Sequence, residues 1–369
     1  MILQHLHILN YKNLVEADLD FSPKVNCLIG NNGMGKTNVL DAIYFLSMCK
    51  SFTSQTDSTV ITHDAPFMML QGHYVRRGVD EDITVSVQRG RRKVVRRGGK
   101  EYQRLSQHIG LLPIVMISPM DWDLIRGAGE ERRRLMNTVI SQADASYLDA
   151  VMRYNKALEQ RNAMLRRDMR DPLLYESVEQ VLCDTAALIH ERRAKWIEQF
   201  TPIFMRYYTS IAGVDEVVRM SYQSHLNDAP MTAVLAAHRE RDMALGYTSH
   251  GVHRDDIDLQ LGDYSMRRTG SQGQCKTYTI ALRLAQFDFI KQVSSTTPIL
   301  LLDDIFDRLD ARRVERIVDV VSSDRFEQIF ITDTNRTHLD EILARTAGDH
   351  CMLRVHEGVV TSQQEGGEQ

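Results

Sequence analysis

Read for hydrophobic and polar alternation, the chain opens on strands. Residues 2–8 and 14–21 alternate apolar with polar positions, and Asn10-Tyr11-Lys12-Asn13 between them has turn chemistry. The nearly unbroken apolar segment 24–29 predicts a short buried strand, and 39–48 predicts an apolar helix. A polar loop at 49–57 precedes β-rich segments at 67–75, 83–87 and 93–95, whose glycine-containing turns predict an antiparallel sheet. Segment 113–117 is a further buried strand. From Met120 the texture changes. Segments 130–142, 146–167 and 173–210 are long, charged and helix-forming, and no glycine occurs between Gly129 and Gly213. Ser146, with Asp149 at capping-box spacing, opens one of these helices, and Pro172 opens another. A strand at 216–222 and a helix at 231–244 follow. The last third alternates helix (272–293), strand (299–302), helix (311–321) and strands (328–331, 352–355). The pattern predicts an α/β fold interrupted by an α-helical inserted domain. Its parts are an α/β segment at 1–118, the insertion at 119–245, a second α/β segment at 246–360 and a disordered tail at 361–369.

Composition narrows the classes. A chain of 369 residues, 43% hydrophobic and 25% charged, is ordinary for a globular protein with a large core. A net charge of −4 gives no global signal for nucleic acid, so any DNA contact must come from a local patch. The first nine residues have a strand pattern and not that of a signal peptide, and no apolar run approaches the ~18 residues that span a bilayer. The five cysteines form no CxxC pair and no zinc spacing, which fits a reducing cytoplasm. Cys27, Cys183, Cys275 and Cys351 are expected as small buried apolar residues.

The chemistry starts at residues 30–38, Gly30-Asn31-Asn32-Gly33-Met34-Gly35-Lys36-Thr37-Asn38. The pattern G-x-x-x-x-G-K-[ST] between a strand and a helix is a phosphate-binding loop, or P-loop. Glycines let the backbone curl around phosphates, and the helix N-terminus offers free N–H groups and a favourable dipole. Lys36 would reach the β- and γ-phosphates, and Thr37 would place its hydroxyl on Mg²⁺. A nucleoside triphosphate is the expected cofactor, and the resemblance given below implies ATP. The apolar strand at 299–302 runs into Asp303 and Asp304, the acidic partner such a loop requires. Asp303 would hold Mg²⁺ and Asp304 would orient and deprotonate the attacking water. Upstream, Thr269-Gly270-Ser271-Gln272-Gly273-Gln274 opens a long helix and offers N–H groups and a hydroxyl to an anion. This turn resembles the signature loop of ABC-type ATPases, in which one protomer's signature covers the other's γ-phosphate. Leu309-Asp310 resembles their D-loop. Thr332 and Asp333 stand where they carry a switch residue.

The opening Leu6-His-Ile-Leu-Asn-Tyr-Lys-Asn-Leu14 and the P-loop with its helix resemble the bacterial RecF family of recombinational-repair ATPases. So do 117–127 with Arg132-Arg133-Arg134-Leu135, the block Gly251-Val-His-Arg-Asp-Asp-Ile257, and the Ser-Gln-Gly-Gln signature. The resemblance runs from residue 1 to about 335. It implies an ABC-type head with a helical second domain, Lys12 among the nucleotide contacts, ATP-dependent homodimerisation and weak DNA-stimulated ATP hydrolysis. It also implies binding to single-stranded or gapped DNA, with RecR and RecO as partners in directing RecA. The densest basic stretch, 89–100, makes Arg91, Arg92, Arg96 and Arg97 the candidate DNA contacts on a hairpin. Arg161, Arg166, Arg167, Arg170, Arg192, Arg193 and Lys195 are expected as a solvated helical face paired with acids. His250, His253 and Arg254 are expected near the nucleotide or the dimer contact. Two rival readings are an ABC transporter ATPase subunit, which would bind no DNA, and a dimer that uses ATP only structurally.

Overall fold

The opening alternation builds a hairpin. β1 (Ile2–Tyr11) pairs antiparallel with β2 (Leu14–Asp20) across a turn in which Lys12 takes a left-handed backbone, φ 53°. β3 (Val25–Ile29) leads into α1 (Lys36–Met48). β4 (Phe67–Arg76), β5 (Val79–Gln88), β6 (Val94–Arg97) and β7 (Lys100–Glu101) extend the hairpin into an antiparallel sheet of order β2-β1-β4-β5-β6-β7. β8 (Ile114–Ile117) belongs to a second sheet. The computed structural model describes every residue except 55, 170, 214–215, 308, 335, 346–348 and 363–369. The chain forms two compact units, Met1–Asp121 with Gln286–Gln369, and Trp122–Ala285.

The second unit is mainly helical: α2 (Trp122–Arg126), α3 (Gly129–Ala143), α4 (Ala145–Arg166) and the 41-residue α5 (Pro172–Ala212). β9 (Val218–Gln223), α6 (Met231–Leu245), β10 (Asp256–Leu261), β11 (Tyr264–Ser265) and α7 (Met266–Thr269) follow, and α8 (Gln272–Val293) begins there. The sequence pattern places a boundary at 245/246. The division falls after Ala285 instead, because β10 pairs along its length with β9 and stays with the sheet its hydrogen bonds build. Two local expectations also change. Asp144 caps α4, accepting from the N–H groups of Ser146 and Tyr147, so Ser146 lies inside the helix and no Ser146–Asp149 box forms. Arg161 and Arg193 are not solvated. Arg161 is fully buried and bonds Glu179 at 2.8 Å, Asp242 at 2.7 Å and Thr248 at 2.8 Å. Arg193 is buried against Asp255 at 2.6 Å, with Tyr147 and Asn137 at 3.0 Å. Arg166, Arg167 and Lys195 are exposed as expected, Arg192 is half-buried against Asp144, and Arg170 lies outside the described residues.

The chain then completes the second sheet of the first unit with β12 (Ile299–Asp303), α9 (Ala311–Val321), β13 (Ile329–Asp333), α10 (Arg336–Arg345), β14 (His350–His356) and β15 (Val359–Ser362). Its order is β15-β14-β3-β13-β12-β8. Every pairing is parallel except β14–β15. β12 and β13 are buried at every residue, as a parallel strand covered on both faces requires. α1 is apolar nearly all round because it lies in the core between the two sheets, packed with residues of β1, β4 and β5 on one side and β12, β13 and β14 on the other. Thr361 and Ser362, expected as disordered tail, pair with Arg354 and Leu353, while 363–369 lie outside the described residues. Cys27 and Cys275 are buried as expected, whereas Cys183 and Cys351 are only partly so. Among the described residues no helix is long and apolar enough to cross a membrane.

Candidate phosphate-binding site

The P-loop runs from the end of β3 to the start of α1. Gly33 (φ 79°) and Gly35 (φ 115°) take backbone conformations that other residues rarely adopt. Gly35 is the N-cap of α1 and supplies no side-chain cap, so the helix keeps its dipole and its first N–H groups for an anion. Lys36 folds into the loop, donating to the carbonyls of Gly30 at 2.6 Å and Asn31 at 3.0 Å. Burial pushes its amine's pKa down, and the carboxylates of Asp304, Asp303 and Asp333 oppose that shift. One buried cation therefore faces three acids.

Those acids come from the ends of two neighbouring parallel strands. Thr37 Oγ1 donates to Asp303 at 2.9 and 3.0 Å, and Thr332 Oγ1 donates to Asp303 Oδ1 at 2.8 Å. Burial raises the pKa of Asp303, with the two hydroxyls working against the rise. Asp304 has a left-handed backbone, φ 48°, and its N–H donates to the Thr332 hydroxyl at 3.1 Å. Thr332 thus locks the acidic pair from β13. The oxygens of Thr37 and Asp303 fit a hard divalent cation. Among the described residues no group of three or more His, Cys, Asp or Glu could hold a metal, so such an ion would need further oxygens from phosphate or water.

Other sequence candidates fall in varied places. Lys12 is ion-paired with buried Asp41 at 2.5 Å, and Asp41 also accepts from Tyr11 and Ser51 at 2.7 Å. Its neighbour Asn13, which the sequence pattern does not single out, touches the P-loop directly. Asp310 caps α9, accepting from Arg313 N–H at 3.0 Å, and that bond lowers its pKa. In the second unit Ser271 and Gln274 form a reciprocal capping box at the start of α8. Ser271 N–H donates to Gln274 Oε1 at 2.9 Å, and Gln274 N–H donates to Ser271 Oγ at 3.2 Å. Glu216 and Arg126, which carry no sequence signal for it, hold this turn. Gln274 Nε2 donates to Glu216 at 2.8 Å, and Arg126 donates to the Gly270 carbonyl at 2.7 Å and to that of Arg267. Gln272 and Gly273 form the first turn of α8. The hairpin arginines Arg91, Arg92, Arg96 and Arg97 are all exposed; Arg92 donates to the Gln103 carbonyl at 3.2 Å, and Arg97 bonds Glu81 at 2.7 Å from the opposite face of β6 to Arg96.

His253 is engaged inside the second unit. Its ring meets Tyr154 Oη at 2.7 Å and the Thr248 carbonyl at 2.9 Å. A neutral ring satisfies both, with Nε2–H donating to Thr248 and Nδ1 accepting from Tyr154. Burial pushes its pKa from 6.5 down to about 4. The unfolded chain therefore binds this proton first, and the contribution of His253 to stability, present above pH 6.5, is lost as pH falls towards 4. That loss is worth about 3 kcal/mol. His253→Gln should lose correspondingly less stability than the parent between those pH values in denaturant unfolding. Parallel pH profiles would show that the ring is free to protonate in the fold.

A parallel sheet carrying a P-loop at one strand and two carboxylates at the second strand over is the ABC-type ATPase fold, here with a helical insertion. The family model described as RecF/RecN/SMC N terminal domain matches residues 2–350. The DNA replication and repair protein RecF of Parabacteroides distasonis is 52% identical over 365 residues, covering 99% of this chain and 100% of that one. RecF of Porphyromonas gingivalis is 47% identical over 362 residues, covering 98% and 100%. A solved structure of the recombination mediator protein RecF with ATP, from the RecFOR pathway, superposes with a TM-score of 0.88 at 25% identity, covering 98% of each chain. An Smc head domain from Pyrococcus furiosus shares the fold, with a TM-score of 0.57 at 16% identity over 98% of this chain and 96% of that one. The chain belongs to the RecF family of DNA replication and repair proteins.

Proposed function

We propose that the protein is an ATP-dependent DNA-binding protein of recombinational repair. It binds ATP with Mg²⁺, dimerises on it, holds single-stranded or gapped DNA, hydrolyses ATP slowly under DNA stimulation, and works in the cytoplasm with RecR and RecO to place RecA. The observation that carries this reading is the meeting of buried Lys36 and Asp303 with partly buried Thr37 and Asp304 beside an uncapped helix start. Loop residues Gly30 to Asn38 cradle the phosphates, Lys36 neutralises them, and Thr37 and Asp303 hold Mg²⁺, which supplies charge stabilisation at the phosphates. Asp304 orients and deprotonates water. Asp333, facing Lys36, is the better placed switch candidate, since Thr332 is committed to Asp303. Ser271, Gln272, Gly273 and Gln274 cover the nucleotide of a second copy, with Asp310 at the same contact. The solved RecF with ATP supports the cofactor.

Sedimentation with and without ATP and gapped DNA tests the reading. A species that doubles in mass with ATP and then binds gapped DNA is expected, and a monomer indifferent to both overturns it. For DNA we assign Arg91, Arg92 and Arg96, with Arg97 reserved to Glu81. Replacing the first three by Gln should weaken DNA binding alike across sequences. It should also lower the log–log salt slope by about 0.9 for each duplex phosphate that is no longer neutralised. Arg97→Gln should instead cost stability by stranding Glu81. An unchanged salt slope in the triple variant would turn the hairpin away from DNA.

A further inference from the structure

The P-loop is held from its outer side by two segments distant in sequence. The Met34 carbonyl accepts from the Gly358 N–H at 2.9 Å and from Asn13 Nδ2 at 3.3 Å. Asn13 Oδ1 accepts from Asn38 Nδ2 at 2.7 Å, so one side chain ties the loop to the first turn of α1. The Glu357 N–H faces Met34 Sδ at 3.3 Å. Glu357 and Gly358, with φ 48° and 78°, form the turn between β14 and β15.

These approaches leave no room for side chains. A Cβ on Gly358 would sit 2.2 Å from the Asn13 carbonyl oxygen, and one on Gly35 would sit 2.9 Å from Asn13 Oδ1. At the start of the loop, a Cβ on Gly30 would sit 2.2 Å from the Val355 carbonyl oxygen. The start and the middle of the loop therefore rest on the β14–β15 hairpin. A planar trans peptide points its C=O and its N–H in opposite directions. With the Met34 carbonyl held by two donors, the Gly35 N–H of the same peptide points the opposite way, away from Asn13 and Gly358.

We propose that Asn13 and Gly358 are positioning residues for the nucleotide. They clamp the Met34–Gly35 peptide so that its N–H is presented to a phosphate, which makes the β14–β15 hairpin a working part of the site. The inference rests on the ATP reading above. The clamp acts by pre-organisation, so its loss raises the KM and Kd for ATP and leaves turnover at saturating ATP nearly unchanged. Coupling is reciprocal: if the hairpin supports the loop, ATP supports the hairpin by the same factor.

The test compares ATP affinity by calorimetry, steady-state ATPase kinetics and amide exchange in the parent and three variants. Asn13→Ala removes only an exposed side chain and should weaken ATP binding by about tenfold with kcat within about twofold. Gly358→Ala should weaken it further. Gly78→Ala is the control: its φ of 74° matches the 78° of Gly358, but nothing lies within 4 Å of its Cβ position. It carries the same backbone strain and should bind ATP as the parent does. ATP should slow amide exchange across 356–360 in the parent and less so in Asn13→Ala. If Gly358→Ala does not fold, Asn13→Ala decides. Parent-like ATP affinity in Asn13→Ala, with no protection of the hairpin in the parent, overturns the clamp. A parent that takes no ATP at all overturns the nucleotide reading beneath it, and the clamp falls with it.

Discussion

Lys36→Ala is expected to take ATP affinity below detection while leaving the fold intact. The amine of Lys36 is the cation that Asp303, Asp304 and Asp333 all face inside the loop. Without it a polyanionic ligand meets three carboxylates with no loop cation beside the proposed Mg²⁺ to balance them. Each hydrogen bond to a charged group is worth about 1.5–3 kcal/mol, and Lys36 would contribute at least two, so a loss of at least ~100-fold follows. Repulsion from the acids adds to that. The fold should tolerate the change. Alanine favours the first turn of a helix, and the amine donates to two loop carbonyls that water can reach once it is gone. Calorimetry with ATP, alongside thermal unfolding, reads both halves. Parent-like affinity would remove the phosphate site from this loop.

The second large effect separates chemistry from assembly. Asp304→Asn should bind ATP, dimerise and remain dimeric, because hydrolysis slows by about 10²–10⁴ when a positioned general base is lost. The exchange suits the backbone: residue 304 sits at φ 48°, a conformation asparagine accepts readily. Asp303, Thr37 and Thr332 keep their mutual bonds, so the oxygens that would hold Mg²⁺ stay in place. Ser271→Arg should fail differently. It should bind ATP as a monomer and not dimerise, since a bulky cation replaces an exposed hydroxyl in the surface that would cover a second copy's nucleotide. It also gives up the cap on Gln274 N–H, about 1 kcal/mol, too little to unfold the unit. Mixing the two variants should recover part of the dimer, because each heterodimer keeps one intact Ser271. Sedimentation with ATP decides, and a Ser271→Arg dimer as stable as the parent's would end the shared-site mechanism.

How much of the fold and the site is legible in the sequence follows from how far each signal reaches along the chain. The P-loop, the acidic strand and the long helices are local patterns, and each stands where the residues put it. Arg161 and Arg193 read as solvated charges because helical spacing says nothing of Asp242 and Asp255, the carboxylates that bury them. Ser146 loses the cap to Asp144 because two capping side chains stand two residues apart and spacing alone cannot rank them. Ser271 and Gln274 do show capping-box spacing in the chain, a signal obscured by the glycines around it. Asn13 and Gly358 have no such signal. Their roles exist only where a hairpin near residue 358 meets a turn near residue 12, and no periodicity spans that distance.

The strand order also bears on how the protein is made. β3 carries the P-loop and is synthesised well before β13 and β14. Yet Val25 pairs with Ile329 on one side and with His350 on the other. Until those two strands are made, this mostly apolar strand has both edges open, a state prone to mispairing. Segments synthesised earlier ordinarily fold earlier, and here β3 must wait for strands made far later in the chain. A chaperone that shields β3 would therefore act until β13 and β14 emerge. A product of stalled translation would hold every residue of the P-loop and still lack Asp303, Asp304 and the strands that support the loop. Such fragments should not bind nucleotide, and under the shared-site proposal they should not assemble with finished copies, so incomplete chains would be kept out without any separate inspection step.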